Sequence, residues 1–254
     1  LPEHGRVGLD EDGLGRGDAR VVHGAKHFEL VDDGRLRRSR GQIAAQHEPL
    51  ARGAHWLTLR EGVRPSLLAQ ALGALTGQRQ LLEQDLSLRG WPWHEAAASW
   101  VEPTACALLA LRRLALLGEA AGARARIEEG ERLLWDRMCV AGGWNYGNRR
   151  VLGEALEPFP DTTALALIAL QGSQRKDDLE RSFAALAALL EARASSLSLA
   201  LGALAAELHG RDASAPLSAL EQRIARRGPP DETRALAFAC LALAGGAERL
   251  RVPS

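Results

Sequence analysis

The loop at residues 142–161, GGWNYGNRRVLGEALEPFPD, contains the side chains of this chain best suited to bind a ligand. Two guanidinium groups beside aromatic rings can hold a diphosphate or a carboxylate. Binding residues often lie on such loops, although a loop of this kind can also serve only to satisfy helix ends. The candidate binding residues are Trp144, Asn145, Tyr146, Arg149 and Arg150.

Three acidic residues stand at corresponding places in the sequence, each just before or within an Ala- and Leu-rich segment. They are Glu102, Asp161 and Glu232. An acid in the first turn of a helix interacts favourably with the helix dipole, which is a structural role. The same carboxyl groups, held in a dry site, could also exchange a proton with a ligand.

Five apolar segments must position these residues: 66–75, 103–111, 162–170, 196–204 and 233–241. Aligned on their terminal leucines, they are spaced by 36, 59, 34 and 37 residues, and the long interval contains the loop. A period in this range indicates stacked supersecondary units. Because Ala and Leu dominate and β-branched residues are few, the segments are predicted to be helices.

The segments between them are amphipathic, with apolar residues spaced by three, four and seven at 124–139, 177–193 and 216–227. Buried helices therefore alternate with half-exposed ones. The pattern predicts an all-α domain over residues 65–248, built from about five helical hairpins with inner and outer helices in a double ring. A flat helical solenoid is the competing arrangement. In either case the inner helices run parallel, so their starts gather at one rim with the loop.

Several residues mark where these helices begin. Pro103 suits a first helical turn, because its missing N–H needs no partner there. Asp161, Ser195 or Ser196, and Asp231 or Glu232 are candidate caps or dipole partners. Residues 1–60 differ from the rest: they are rich in Gly, Arg, Asp and His and have no sustained apolar period. We expect them to form a poorly ordered N-terminal arm.

The composition excludes several classes of function. Thirty-two basic residues balance thirty-two acidic ones, so the chain lacks the basic surplus that nucleic-acid binding requires. No apolar run is long enough to span a bilayer. The cysteines Cys106, Cys139 and Cys240 are odd in number and unclustered, which favours buried thiols and a cytoplasmic location. No motif for a metal, a cofactor or a protein partner stands out.

Two stretches carry a family resemblance. They are GWPW…SWVEPTACALLAL, residues 90–93 and 99–111, and LLWDRMCVAGGWNYG…FPDTTALALIAL, residues 133–147 and 159–170. Both resemble the Gly-Trp turn and the inner helix of the squalene cyclase and prenyltransferase repeat, whose fold is the α/α toroid. The Gln that usually precedes the turn is at a stretched spacing as Gln84, and Met138 stands in its place in the second copy.

The resemblance implies a fold shared by terpene cyclases, protein prenyltransferase subunits, thioester domains and lanthionine cyclases, and fold alone does not choose among them. Class II terpene cyclases have an Asp-x-Asp-Asp-Thr-Ala motif, onto which Asp161 falls as the catalytic acid, although both flanking acids are absent here. Zinc ligands of the prenyltransferase type and the thioester sequence are also absent, and only 4% of residues are aromatic.

Two functions remain open from the sequence. The first is an enzyme acting on an isoprenoid or another anionic molecule with an apolar tail. Its head would lie on Arg149 and Arg150, beside Glu102 and Asp161, at the rim. The alternative is a non-catalytic toroid that binds a ligand or serves as a scaffold. An open apolar centre would favour the enzyme, and a centre filled by side chains would favour the alternative.

Overall fold

The helices follow the alternation of apolar and amphipathic segments in the sequence. The computed structural model describes residues 48–63, 83–118, 120 and 122–252. Within this part, the only strands are β1 (Arg150–Val151) and β2 (Glu154–Ala155), an antiparallel pair in the loop. The prediction of an all-α domain is confirmed for the residues that the structure describes. The helices are α1 (48–59), α2 (Val101–Leu116), α3 (Arg124–Asp136), α4 (Pro160–Ala169), α5 (Lys176–Arg193), α6 (Ser196–Leu208), α7 (Ser214–Arg227), α8 (Thr233–Leu243) and a 3₁₀ helix (Gly246–Leu250).

Four Ala- and Leu-rich helices, α2, α4, α6 and α8, form the inner layer. In that order each packs against the next. Helices α4 and α6 are covered on nearly all sides, since every residue from Thr162 to Ala169 is buried. Small Ala side chains let the helix axes approach closely, and the Leu side chains fill the remaining space.

The amphipathic helices α3, α5 and α7 form an outer layer, packed respectively against α2, α4 and α6. Each buries one stripe: α5 buries Leu179, Ser182 and Leu186, and α7 buries Leu220. The remaining faces are charged and exposed, as expected for helices at a water boundary. The predicted alternation of inner and outer helices is therefore confirmed for α2 to α8.

Two predicted caps are confirmed. Ser195 begins α6 with a capping box, in which its Oγ accepts the Ser198 N–H while Ser198 Oγ accepts the Ser195 N–H, each at 3.0 Å. Glu232 begins α8 by accepting the N–H groups of Arg234 and Ala235. These bonds satisfy amides that have no partner inside the helix.

Residues 48–60, the described part of the predicted N-terminal arm, pack on the helical layers. Leu57 of α1 lies against the hydrophobic core and Ala54 is buried. The Arg126 guanidinium of α3 donates to the Arg60 carbonyl at 2.9 Å. Helix α1 thus lies beside α3, in the outer layer. Residues 1–47 of the arm and the predicted inner segment 66–75 lie outside the described residues.

The prediction that all three thiols are buried is wrong for two of them. Cys139 is buried, but Cys106 on α2 and Cys240 on α8 are exposed. For Cys240 the cause is that α8, unlike α4 and α6, leaves one face uncovered, with Leu236 40% and Leu243 42% exposed. An apolar sequence therefore does not by itself show that a helix is covered on every side.

Candidate functional site

A turn built around Gly and Trp precedes both α2 and α4, and the two copies have the same hydrogen bond. The Trp91 N–H donates to Thr104 Oγ1 at 3.0 Å, and the Trp144 N–H donates to Thr163 Oγ1 at 2.9 Å. The residue before Trp91 must be glycine, since a Cβ on Gly90 would lie 2.3 Å from Thr104 Oγ1. Each turn is thereby fixed to the first turn of its inner helix.

The indole of each turn also reaches the preceding outer helix. Trp91 Nε1–H donates to the Leu57 carbonyl of α1 at 2.9 Å, and Trp144 Nε1–H donates to the Leu134 carbonyl of α3 at 2.5 Å. Both rings are almost completely buried. They satisfy carbonyls at helix C-termini and fill the space between helices, so Trp144 has a structural role.

An ion network braces the first turn. Arg89 and Arg126 both bond the Glu129 carboxylate at 2.9 Å, and Arg126 lies 4.1 Å above the Trp91 ring. Burial opposes the charged form of Glu129, yet the bonds and charges of the two arginines hold the pKa of its carboxyl below the usual range. Burial lowers the pKa of Arg126. These paired charges stabilise the turn.

The starts of all four inner helices meet around one cavity of about 290 Å³, here called the rim cavity. Four helix starts at one place mean that the inner helices run parallel, as the sequence predicted. The loop at residues 142–161 closes the side of the cavity. Its lining residues are Glu102 of α2, Asp161 and Thr162 of α4, Leu197 of α6, Glu232 and Arg234 of α8, and Tyr146 and Phe159 of the loop.

Three carboxylates and one guanidinium line the rim cavity, and their partners differ. Glu102 is paired with Arg234. Glu232 accepts the first N–H groups of its own helix. Asp161 lies in the first turn of α4 without capping it, and its Oδ1 is shielded from solvent and has no hydrogen-bond partner. Among the three carboxylates that line the cavity, Asp161 is therefore the one without an ion pair or a helix-capping hydrogen bond.

Aromatic rings form the other wall. Tyr146 lies 5.0 Å from Phe159 and 6.0 Å from Trp100, measured between ring centroids. The carbonyl of Tyr146 accepts the Val101 N–H of α2 at 3.1 Å, which fixes the loop to the helix. The side chain of Tyr146 is 55% exposed. The cavity thus presents an aromatic surface beside the Asp161 carboxylate.

Asn145, predicted to bind a ligand, instead has a structural role in the loop. Its Nδ2 donates to the Asn148 and Glu157 carbonyls at 2.8 and 3.2 Å, and its Oδ1 accepts the Gly147 and Asn148 N–H groups. The side chain is buried. Asn145 holds the two ends of the loop together and has no free group for a ligand.

The two arginines of the loop lie away from the rim cavity. Arg150 pairs with Glu83 at 3.0 Å and donates to the Gly153 carbonyl at 3.0 Å. Arg149 does not line the cavity either. The structure therefore brings together four of the residues singled out from the sequence: Glu102, Tyr146, Asp161 and Glu232.

Four lining residues were not predicted as part of a site: Phe159, Thr162, Leu197 and Arg234. Phe159 and Thr162 stand within two residues of Asp161 in the sequence, so their closeness to Asp161 could have identified them as part of the site. Arg234 stands two residues after Glu232 at a helix start, but its pairing with Glu102 depends on the arrangement of the helices. No short sequence pattern predicts the ion pair between Arg234 and Glu102.

In the described part of the chain, no three His, Cys, Asp or Glu side chains are grouped so as to hold a metal ion. The described helices include none with the length and apolarity needed to cross a membrane. Comparison of the chain with protein-family models, curated proteins and solved structures found no match.

Proposed function

We propose that the chain is a helical-hairpin repeat protein that binds, at the rim cavity, a ligand with a positively charged group on an apolar body. The observation that carries this proposal is the unpartnered Oδ1 of Asp161, in a cavity walled by Tyr146 and Phe159. A carboxylate beside aromatic faces suits an ammonium or guanidinium group, because both attract positive charge.

The proposed architecture is an α/α toroid of the squalene cyclase and prenyltransferase type. Its support is the relation between α2 and α8, the first and last inner helices among the described residues. Glu102 of α2 pairs with Arg234 of α8, and Arg113 of α2 donates to the Arg251 carbonyl, beyond α8, at 2.9 Å. Consecutive inner helices whose two ends meet favour a closed ring over an open solenoid.

The charge of the cavity supports a cationic ligand. Helix N-termini supply partial positive charge, which alone would favour an anion. Here three carboxylates face a single guanidinium, and that guanidinium is paired with Glu102. A diphosphate or carboxylate head has less support, because Arg149 and Arg150 do not line the cavity.

An enzyme acting on an isoprenoid is the second candidate, supported by Asp161 in FPDTTALALIAL beside aromatic rings. A protonated Asp161 carboxyl would give its proton to a carbon–carbon double bond, forming a C–H bond and leaving a carboxylate. The positive charge on the hydrocarbon would then lie near Tyr146 and Phe159. The binding proposal has more support, because Phe159 and Thr162 stand where the cyclase motif has its two flanking acids.

The test of the binding proposal is calorimetric titration with octylammonium, using octanoate as the anion of matched length. We expect octylammonium to bind and octanoate not to bind. Replacement of Asp161 by Asn removes a charge-assisted contact and should weaken octylammonium binding roughly tenfold or more. Asp177→Asn is the matched control, because Asp177 is an exposed first-turn acid of α5 outside the cavity. Equal affinities of wild type and Asp161→Asn would refute the proposal.

The second candidate has its own readout. The chain is incubated with squalene or with geranylgeranyl diphosphate, and products are identified by gas chromatography and mass spectrometry. Turnover that is lost in Asp161→Asn and kept in Asp177→Asn would favour the enzyme. A loss of turnover of the diphosphate in Arg149→Ala/Arg150→Ala would restore those arginines as an anion site.

A further inference from the structure

A cleft of about 460 Å³ lies among α5, α6 and α7. In the two preceding repeats, the corresponding space holds an indole. Trp91 is bonded to α1 and α2, and a Cβ on Gly130 of α3 would lie 2.8 Å from its ring. Trp144 is bonded to α3 and α4, and its turn contacts α5 where the Gly143 N–H donates to Ser182 Oγ at 3.1 Å. Each indole therefore lies between one inner helix and two successive outer helices.

The register of the inner helices shows why the third repeat differs. The residue before each helix is Trp100 for α2, Phe159 for α4 and Ser195 for α6. Four positions later stand Thr104 and Thr163, which accept the Trp N–H groups. The equivalent residue of α6 is Leu199. Its side chain accepts no hydrogen bond, and it lines the cleft.

The connection between the helices differs as well. Helices α5 and α6 are joined only by Ala194 and Ser195, without a Gly-Trp turn. The chain therefore supplies no indole at this junction. The apolar walls and floor of the cleft include Phe183, Leu190, Gly202, Ala206, Ala215 and Ala219. Several are small, which leaves room for a flat ring.

The residue equivalent in position to the two indole acceptors lines the cleft. The acceptors in the first two repeats, Leu57 and Leu134, stand three residues before Arg60 and Arg137, the first residues after α1 and α3. The equivalent residue of α5 is Glu191, three before Ala194, and Glu191 lines the cleft. In a continuing helix the Ser195 N–H would donate to the Glu191 carbonyl, but here it donates to Ser198 Oγ.

Two charged side chains that line the cleft, Arg211 and Asp212, are engaged with protein partners. Arg211 pairs with Glu180 and lies 4.1 Å above the Phe183 ring. Asp212 accepts the N–H and the hydroxyl of Ser214 at 2.9 and 2.7 Å. A bound molecule therefore meets no unpaired charge from these two residues. The partial negative charge of the α5 C-terminus favours a donor instead.

We propose that this cleft binds a planar aromatic small molecule of indole size with one N–H donor. The ring lies in the cleft between α5 and α7, and its N–H donates to the Glu191 carbonyl. Stacking in an apolar cleft supplies affinity, and the single acceptor orients the ring. This site is separate from the rim cavity, and the proposal stands independently of the function proposed there.

The test uses indole as the probe and 1-methylindole, which lacks the N–H, as its matched control. Binding is measured by ligand-observed NMR and calorimetry. We expect indole to bind and 1-methylindole to bind several-fold more weakly, since one hydrogen bond is lost. No binding of indole by the folded wild type, or equal binding of both probes, would overturn the proposal.

Two variants locate the site. Ala187 and Ala184 are both exposed on α5, but only Ala187 lines the cleft. The variant Ala187→Trp places an indole of the chain in the cleft and should abolish indole binding. Ala184→Trp should leave it unchanged, and circular dichroism checks that both variants fold. Indole binding that survives in Ala187→Trp would exclude this cleft as the site.

Discussion

Glu102, in the first turn of α2, is paired with Arg234, in the first turn of α8, although 132 residues separate them in sequence. The Glu102 side chain is 14% exposed and the Arg234 side chain 40% exposed. This ion pair links α2 and α8, the first and last inner helices that the structure describes, and forms one side of the rim cavity. The strength of this contact between α2 and α8 can be measured as a coupling free energy.

The ion pair is expected to couple the two helices energetically. In a double-mutant cycle with Glu102→Gln and Arg234→Gln, urea unfolding should give a coupling free energy of about 1 kcal/mol, because the pair is partly shielded from solvent. High salt should reduce it. A coupling energy of zero would mean that the pair does not hold α2 against α8.

The Gly-Trp turn should depend on the hydroxyl of the inner helix. Thr163 is fully buried, and its Oγ1 both accepts the Trp144 N–H and donates to the Trp144 carbonyl. Thr163→Val leaves the buried Trp144 N–H unpaired, so we expect a loss of about 1–3 kcal/mol in the free energy of unfolding. Thr233→Val, at an exposed helix start, is the control and should change stability little.

Helix α1 should contribute to stability, contrary to the expectation that residues 1–60 form a poorly ordered arm. Its Leu57 carbonyl accepts the Trp91 indole N–H, and the Arg60 carbonyl accepts from Arg126. A chain lacking residues 1–60 should melt roughly 5–10 °C below one lacking residues 1–47, because a few kcal/mol of packing and hydrogen bonding are lost. Equal melting temperatures by circular dichroism would contradict this role.

His209 should make the domain less stable in acid. Burial lowers the pKa of its imidazole, as does the nearby Arg211, against the opposing effect of the bond to the Leu167 carbonyl. The unfolded chain therefore binds the proton more readily. The contribution of neutral His209 is complete above about pH 6.5, the ordinary pKa, and is lost as the pH falls through the lower folded pKa.

The check is to compare urea midpoints of wild type and His209→Asn at pH 7.5 and pH 5.5. The wild type should lose more stability than the variant over this interval, since titrating carboxyl groups affect both chains alike. Equal losses would show that His209 is not the titrating group.

The exposure of the cysteines predicts their reactivity. Burial raises the pKa of Cys139 to about 11, whereas Cys106 and Cys240 are exposed. Treatment of the folded protein with a maleimide should therefore give two adducts by mass spectrometry, with the third appearing only on unfolding. Early modification of Cys139 would contradict its burial.

Much of the helical layer could be predicted because its signals are local. The period of the Ala- and Leu-rich segments, the amphipathic stripe of α5, and the caps Ser195 and Glu232 each depend on residues within a few turns of one another. The gathering of helix starts at one rim followed from the alternation itself, since hairpin repeats make the inner helices parallel.

Several predictions failed or shifted where distant residues decide the outcome. The exposure of Cys240 depends on which helices cover α8, and the apolar sequence of α8 does not predict its neighbours. Likewise, α1 has no sustained apolar period, and its place in the structure depends on the Trp91 indole reaching Leu57.

The sequence by itself determined the helical class, the alternation of inner and outer helices and the helix starts, because these arise from side-chain periodicity and from caps within a few residues. Only the tertiary structure decided which charges are paired, because ion pairs such as Glu102 with Arg234 depend on where distant helices meet. In the folded chain Glu102 is paired with Arg234 and Arg150 with Glu83, whereas Asp161 Oδ1 has no hydrogen-bond partner. The cleft beside α6 also appears only in three dimensions, since it is the space that an absent indole leaves between packed helices.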